Sequence, residues 1–349
     1  MCRSGAACDS DRDSESESKS KSKSDALFAG EAGVNAGSVS HRAVQTVPAP
    51  AIAQVLVVGL VRNASRKIET DVQRLRRALG SFMQVHWLLI ESDSTDSTVE
   101  ELQQLVDTVP RFRFLSLGQL QPQMPLRTQR IAHCRNAYLA ALDQHADYAN
   151  VDLVLMADFD GINTLVDDAA ILSCWARDDW DVCTANQAGP YYDIWALRHP
   201  LWSPGDYKSS YRFLVDHGVK TECALQATLL TKMIVLPADS PWIAVDSAFG
   251  GLAIYRREML RGLRYVGLAA DGQEVCEHVS MHAQICSHGG RIFINPGMVC
   301  AGANEHTRAL RPGRKLLRFM RMAAKRLLMT VWPGRFSNTT SRRVGHDAG

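Results

Sequence analysis

Two aspartates one residue apart, at the end of an apolar run, are the strongest chemical feature of the chain: Leu155-Met156-Ala157-Asp158-Phe159-Asp160. On an extended backbone alternate side chains share a side, so Asp158 and Asp160 can face one point. Two hard oxygen donors there suit Mn2+ or Mg2+ bridging a diphosphate, with the cation offsetting charge on the departing group. A solvated turn finished by Gly161 is the competing reading of any Asp-x-Asp. The position at a strand end favours the metal.

A second acidic turn follows another apolar run, in Leu88-Leu89-Ile90-Glu91-Ser92-Asp93-Ser94-Thr95-Asp96-Ser97-Thr98. Glu91 and Asp93 there can hold a ribose hydroxyl or a base edge, as the acidic residue of dinucleotide folds does. Helix capping by Thr95 or Asp96 is the plainer account of the same residues. Arg127-Thr128-Gln129-Arg130 and Arg135-Asn136 place guanidiniums near a helix start, where they can reach a diphosphate. A solvated basic face explains them equally. Tyr191-Tyr192-Asp193-x-Trp195 mixes aromatics with a carboxylate, which suits sugar faces and hydroxyls, or else forms a core loop. His278 and His282 share helical i, i+4 spacing that can imitate a metal pair, and are read as packing and acceptor contacts first.

The elements that must position these groups alternate. Apolar runs predict strands over 55–61, 85–90, 112–117 and 151–157. Between them, Ile68, Val72, Leu75 and Leu79 mark a helix over 66–80 with Gly80 as its stop, and further helices cover 96–106 and 131–142. Strand–helix alternation of this kind predicts an open, doubly wound, mostly parallel α/β sheet with helices on both faces. Ligands of such sheets lie beyond the carboxyl ends of the strands, where both acidic turns fall. Beyond the fourth strand, up to about His306, Trp, Tyr, Pro and Gly increase and alternation is lost, which predicts an irregular, acceptor-side half.

The 349 residues are 46% hydrophobic and 22% charged, enough for one sizeable α/β domain with tails. A net charge of +2 gives no overall field that would favour nucleic acid. Nine cysteines, an odd number with no C-x-x-C pair, speak against a zinc site or a disulfide framework and for reduced thiols in a cytosol. No secretory leader and no apolar run of ~18 residues is visible. Residues 1–50, with Ser alternating with Glu and Lys, read as a solvated tail, and 51–307 as the catalytic domain. Residues 308–349 are basic. Within 314–331, Leu316, Met320, Ala323, Leu327 and Val331 share one helical side opposite Arg314, Arg318, Arg321 and Lys325, which suits an anionic membrane surface. A C-terminal helix docked on the core is the alternative.

Taken in order, Val61-Arg62-Asn63, Glu91-Ser92-x-Ser94-x-Asp96-x-Thr98, Ala132-x-x-Arg135-Asn136, Asp158-x-Asp160, Ala185-Asn186-Gln187-x-Gly189-Pro190, Ala248-Phe249-Gly250-Gly251 and Cys276-Glu277-His278-x-x-x-His282 resemble the GT-A glycosyltransferases. Within that group they resemble the branch of the fungal capsule-associated mannosyltransferases and their bacterial relatives, over roughly 54–307. The resemblance implies a nucleotide-diphospho-sugar donor contacted by Arg62, Glu91, Asp93, Arg135 and Asp158. It implies Mn2+ or Mg2+ on Asp158 and Asp160, with His306, or else His288, as a third ligand. Glu277 matches the acid at a helix start that serves inverting members as general base, and Asp246 is placed to meet donor or acceptor hydroxyls. The expected enzyme transfers a sugar, with mannose one candidate, to a glycan or lipid-linked acceptor, in surface polysaccharide or glycolipid synthesis. It is expected in the cytoplasm, peripheral on the inner face of the membrane, with no nucleic-acid partner. The rivals are a nucleotidyltransferase, which would want a Gly-rich phosphate loop that Gly59-Leu60-Val61-Arg62-Asn63 represents poorly, and a non-catalytic nucleotide-sugar-binding module.

Overall fold

A computed structural model of the protein describes residues 46–302 and residue 307. His306 and the 314–331 segment lie outside the described residues. The order is β1 (Gln54–Val61), α1 (Ile68–Ala78), β2 (Gln84–Glu91), α2 (Thr98–Thr108), β3 (Phe112–Ser116), α3 (Arg127–Gln144), β4 (Leu153–Ala157) and α4 (Asp168–Leu172). It continues with β5 (Val182–Gln187), α5 (Tyr207–Asp216), α6 (Thr221–Thr228), β6 (Ile243–Val245), β7 (Leu252–Arg256), α7 (Glu277–Ser287) and β8 (Ile292–Ala301).

Eight strands form one sheet in the order β3-β2-β1-β4-β7-β5-β8-β6. The first four pair in parallel, as does β5 with β8, while β7 and β6 run the other way. The alternation of strand side chains divides the core in two. Val55 and Val57 of β1 pack with Leu89, Leu155 and Ile254 toward α1 and α2, whose Val72, Leu75, Leu102 and Leu105 close that face. Leu56 and Val58 pack with Ile90, Met156 and Tyr255 toward α3 and α7, which supply Tyr138, Leu139, Met281 and Ile285. Strands covered on both sides must be apolar at every position, which is why β1 reads as an unbroken hydrophobic run. The expected open, mostly parallel α/β sheet with helices on both faces is what this chain adopts.

Two boundaries differ from expectation. Packing starts before Gln54: Val47 is buried, and Pro48 O accepts a hydrogen bond from Trp175 Nε1 at 3.0 Å. Helix α3 begins at Arg127, ahead of its apolar pattern. Its first turn is closed from 146 residues away, where Glu274 Oε1 accepts from both the Thr128 backbone N–H and its hydroxyl at 3.0 Å. A carboxylate capping free N–H groups also matches the helix dipole.

The second half is more regular than its sequence suggests, with four strands of its own. Seven cysteines among the described residues are free thiols. No described helix is long and apolar enough to cross a membrane.

Candidate active site

Strands β1, β2 and β3 end level, with Val61 opposite Glu91 and Glu91 opposite Ser116. β4 ends beside them, and β7 enters from the other side with Leu252 paired to Ala157. A cavity of about 350 Å³ opens at this edge, lined among others by Val61, Arg62, Asp93, Arg127, Arg130, Arg135, Asp158, Asp160, Asp193, Trp195, Phe249, Glu277 and His278.

Asp158 and Asp160 are held by their backbone. The Asp158 N–H donates to Gly251 O at 3.0 Å, and Asn163 Nδ2 donates to Asp158 O at 2.9 Å and Gly251 O at 3.1 Å. Lys67 Nζ reaches Asp160 O at 2.6 Å. Between the two acids, Phe159 turns into the core and lies on Gly59 of β1, where a Cβ would meet the ring at 2.4 Å. Gly59 thus accepts the ring that points Asp158 and Asp160 the other way. Gly250 and Gly251 sit at φ +74° and +92°, backbone that side chains rarely adopt, and a Cβ on Gly250 would meet Ala185 O at 2.7 Å. Asp193 Oδ2 accepts from the Gly250 N–H at 3.0 Å, fixing that turn beside Asp158.

Charge is concentrated here. Burial pushes the Asp158 carboxyl up to about 7; Arg135 opposes that shift, while Asp160, Asp193 and Glu277 add to it. A carboxylate penalised by its acidic neighbours is one that gains from a divalent cation. Asp158 and Asp160 together fit the hard-oxygen pair that, with phosphates completing the shell, holds Mg2+ or Mn2+. Among the described residues no group of three or more His, Cys, Asp or Glu side chains is placed to hold a metal.

Arg135 is buried, at 5% exposure, and its Nε lies 3.1 Å from Oε1 of Glu277, itself 6% exposed. Phe249 and Tyr265 flank the guanidinium, with ring centroids at 5.4 and 5.6 Å. Arg135 is thus committed to Glu277, while Arg62 and Arg127 bring exposed guanidiniums to the wall, Arg62 donating from Nε to Asp93 O at 3.2 Å. Glu277 is the first residue of α7, so the helix itself delivers it to the cavity.

Other expected residues are placed differently. Asp93, at φ +57°, accepts from the Leu120 and Gln121 N–H groups at 2.8 Å through Oδ1, and Arg130 Nε lies 3.5 Å from its Oδ2. It shapes the wall more than it offers open valence. Glu91 lies behind the wall: Oε1 accepts from Ser94 N–H at 3.0 Å and Oε2 from the Ser116 hydroxyl. Asp246 does not reach the cavity; it is exposed just beyond β6, which runs antiparallel and ends at the far side of the sheet. The carboxylate that the glycine turn does present is Asp193. Tyr191 is fully buried against Trp202, whereas Trp195 stands at the wall, its Nε1 donating to Asp206 Oδ2 at 3.1 Å. His278 stands at the wall, and of the two histidines expected to serve packing and acceptor contacts only it lines the cavity. Its signal in the sequence was its place beside Glu277 at a helix start.

No family model matches the sequence, and no curated protein matches it. Similar solved structures are distant. The mannosyltransferase PcManGT from Pyrobaculum calidifontis in complex with GDP-Man and Mn2+ is 17% identical, over 75% of this chain and 60% of that one, with a TM-score of 0.40. S. aureus TarS 1-349 is 14% identical over 72% and 60%, with a TM-score of 0.38. Glucosyl-3-phosphoglycerate synthase from Mycobacterium tuberculosis in complex with UDP is 14% identical over 76% and 75%, also at 0.38. The chain spans 60% of the length of the first two.

Proposed function

We propose that the chain is a GT-A-type glycosyltransferase that moves a sugar from a nucleotide-diphospho-sugar to an acceptor hydroxyl, using Mn2+ or Mg2+. The observation that carries this reading is the meeting of Asp158, Asp160 and Glu277 in one cavity at the carboxyl ends of β1 and β4. Asp158 and Asp160 would hold the cation against the donor's two phosphates, and the cation, when bound, offsets the charge left on the nucleoside diphosphate. Arg62 adds a guanidinium at the β1 side of the same cavity, where the nucleotide portion is assigned.

The sugar is assigned to the side formed by Trp195, Phe249 and the start of α7. Trp195 offers a face on which a pyranose ring can stack. Glu277 is the group that takes the acceptor hydroxyl proton as the new glycosidic bond forms. Arg135 fixes the rotation of that carboxylate through Oε1 and shares its burial, so it positions the base and does not itself bind the donor.

The setting we assign is surface polysaccharide or glycolipid synthesis on a lipid-linked acceptor, with a mannosyl donor the first candidate, on the cytoplasmic side of a membrane. Residues 314–331 are the segment assigned to the membrane surface. Thermal shift with GDP-mannose, UDP-glucose and UDP-N-acetylglucosamine, each with and without Mn2+, tests the reading. A ligand that binds only the folded state raises the melting temperature. At least one nucleotide-sugar should do so in a Mn2+-dependent way, and no response from any GDP- or UDP-sugar would contradict the assignment.

A further inference from the structure

Helix α7 carries two buried histidines four residues apart, and the protein treats them oppositely. His282 is matched on both sides: its Nδ1 lies 2.9 Å from the Ser247 hydroxyl and its Nε2 2.8 Å from the Tyr255 hydroxyl. His278 is buried almost as deeply, at 3% exposure, yet neither ring nitrogen has a hydrogen-bond partner in the protein. The Glu277 Oε1 atom lies 3.7 Å from Nε2, beyond hydrogen-bond reach. Native proteins seldom leave such a group unmatched.

The ring of His278 is also fixed in place. Phe249 stacks on it with centroids 4.0 Å apart and planes 20° from parallel, and Tyr265 meets it edge-on at 6.0 Å. Its faces are therefore engaged in packing, and the ring forms part of the cavity wall beside Glu277. Burial, then the charge of Arg135, hold the imidazole in its neutral form. Neutral imidazole presents one N–H donor and one acceptor nitrogen. A hydroxyl, which both donates and accepts, matches that pair, whereas a phosphate oxygen accepts only and is better served by the guanidiniums across the cavity.

We infer that His278 is a binding residue for the transferred sugar, exchanging a hydrogen bond with one of its ring hydroxyls. The inference rests on the function proposed above and adds a specificity-determining contact to it. An otherwise unmatched imidazole gains a partner only when the sugar portion is present, so it selects the sugar-bearing donor over the bare nucleotide.

The test compares two ligands on two variants by calorimetry in Mn2+. His278→Phe keeps a flat ring on Phe249 and removes both nitrogens; His278→Gln restores polar atoms. The probes are GDP against GDP-mannose and UDP against UDP-glucose. His278→Phe should weaken nucleotide-sugar binding by about tenfold, the loss of one neutral hydrogen bond, while nucleoside diphosphate binding stays within about twofold. His278→Gln should recover part of the loss, and carries the comparison alone if the Phe variant does not fold. Equal weakening of both ligands, or no weakening of either, overturns the inference. A rise in acceptor KM with donor binding unchanged overturns it too, by assigning His278 to the acceptor. Wild-type protein that binds none of the four probes overturns the functional reading itself, an outcome distinct from the others.

Discussion

Arg135 on α3 and Glu277 on α7, 142 residues apart in sequence, lie 3.1 Å from each other in a site closed by Phe249, Tyr265 and Tyr138. A buried pair of this kind is worth little as a net source of stability, but removing one partner leaves an uncompensated charge. Arg135→Met should therefore lower stability by ~3–5 kcal/mol in denaturant unfolding. Glu277→Gln should also destabilise, and should cut turnover by ~10²–10⁴ with donor binding little changed. The double variant should regain stability without regaining turnover. Loss of donor binding in Glu277→Gln at normal chemistry per bound donor would move the residue to the donor site.

A second prediction follows from Asp158. Its carboxyl is pushed up to about 7 by burial and then by its acidic neighbours, above the 3.8 of an unperturbed aspartate. A raised carboxyl favours the folded state while protonated, so its contribution is full below about pH 4 and is lost as pH rises toward 7. Each unit of displacement is worth ~1.4 kcal/mol, an upper figure for a group at a cavity wall. In chelator, wild type should lose stability relative to Asp158→Asn across that window. Parallel pH profiles for the two proteins would show that Asp158 ionises normally.

Gly59→Ala tests how the two aspartates are aimed. The added methyl would overlap the Phe159 ring and the Ala157 carbonyl, at 2.4 and 2.6 Å. Overpacking of this kind costs ~1–3 kcal/mol and forces the chain to shift. Activity should fall further than stability explains, because the displaced segment carries Asp158 and Asp160. Pairing it with Phe159→Leu should restore part of both. A Gly59→Ala protein with normal stability and turnover contradicts the role given to this contact.

The half of the fold that is legible in the sequence is β1 to β4, where β1, β2 and β4 carry continuous apolar runs and β3 is a short edge strand. β5 is not marked by an apolar run because Thr184, Asn186 and Gln187 are polar yet buried, their donor groups bonded to distant carbonyls. Asn186 Nδ2 donates to Leu236 O and Pro296 O at 3.0 and 2.9 Å, and Gln187 Nε2 to Gly250 O at 3.0 Å. β8 runs through the turn-forming residues Asn295-Pro296-Gly297, where it absorbs a register shift against β5. For the site, Asp158, Asp160 and Glu277 were legible from type and position. Asp246 was not separable from Asp193 by sequence, since only the path of β6 and the Gly250 N–H contact distinguish them. His278 and His282 have the same local pattern, and only their tertiary partners differ.

The basic segment, outside the described residues, makes its own prediction. Six Lys and Arg side chains fall between Arg314 and Arg326. Each contributes ~1 kcal/mol near an anionic surface, so association should be reversible and salt-sensitive. A chain ending at Thr307 should keep hydrolysing nucleotide-sugar but should not float with anionic liposomes. Wild type that fails to float at low salt, or a truncated chain that precipitates, indicates instead a helix docked on the core.

The most direct measurement is release of nucleoside diphosphate from GDP- and UDP-sugars by purified protein with Mn2+, with chelator, and in Asp158→Asn and Asp160→Asn variants that retain wild-type melting profiles at one fixed pH. The account predicts release from at least one donor in Mn2+, and its loss in chelator and in both variants. Full activity in chelator, or wild-type turnover in either variant, would contradict it.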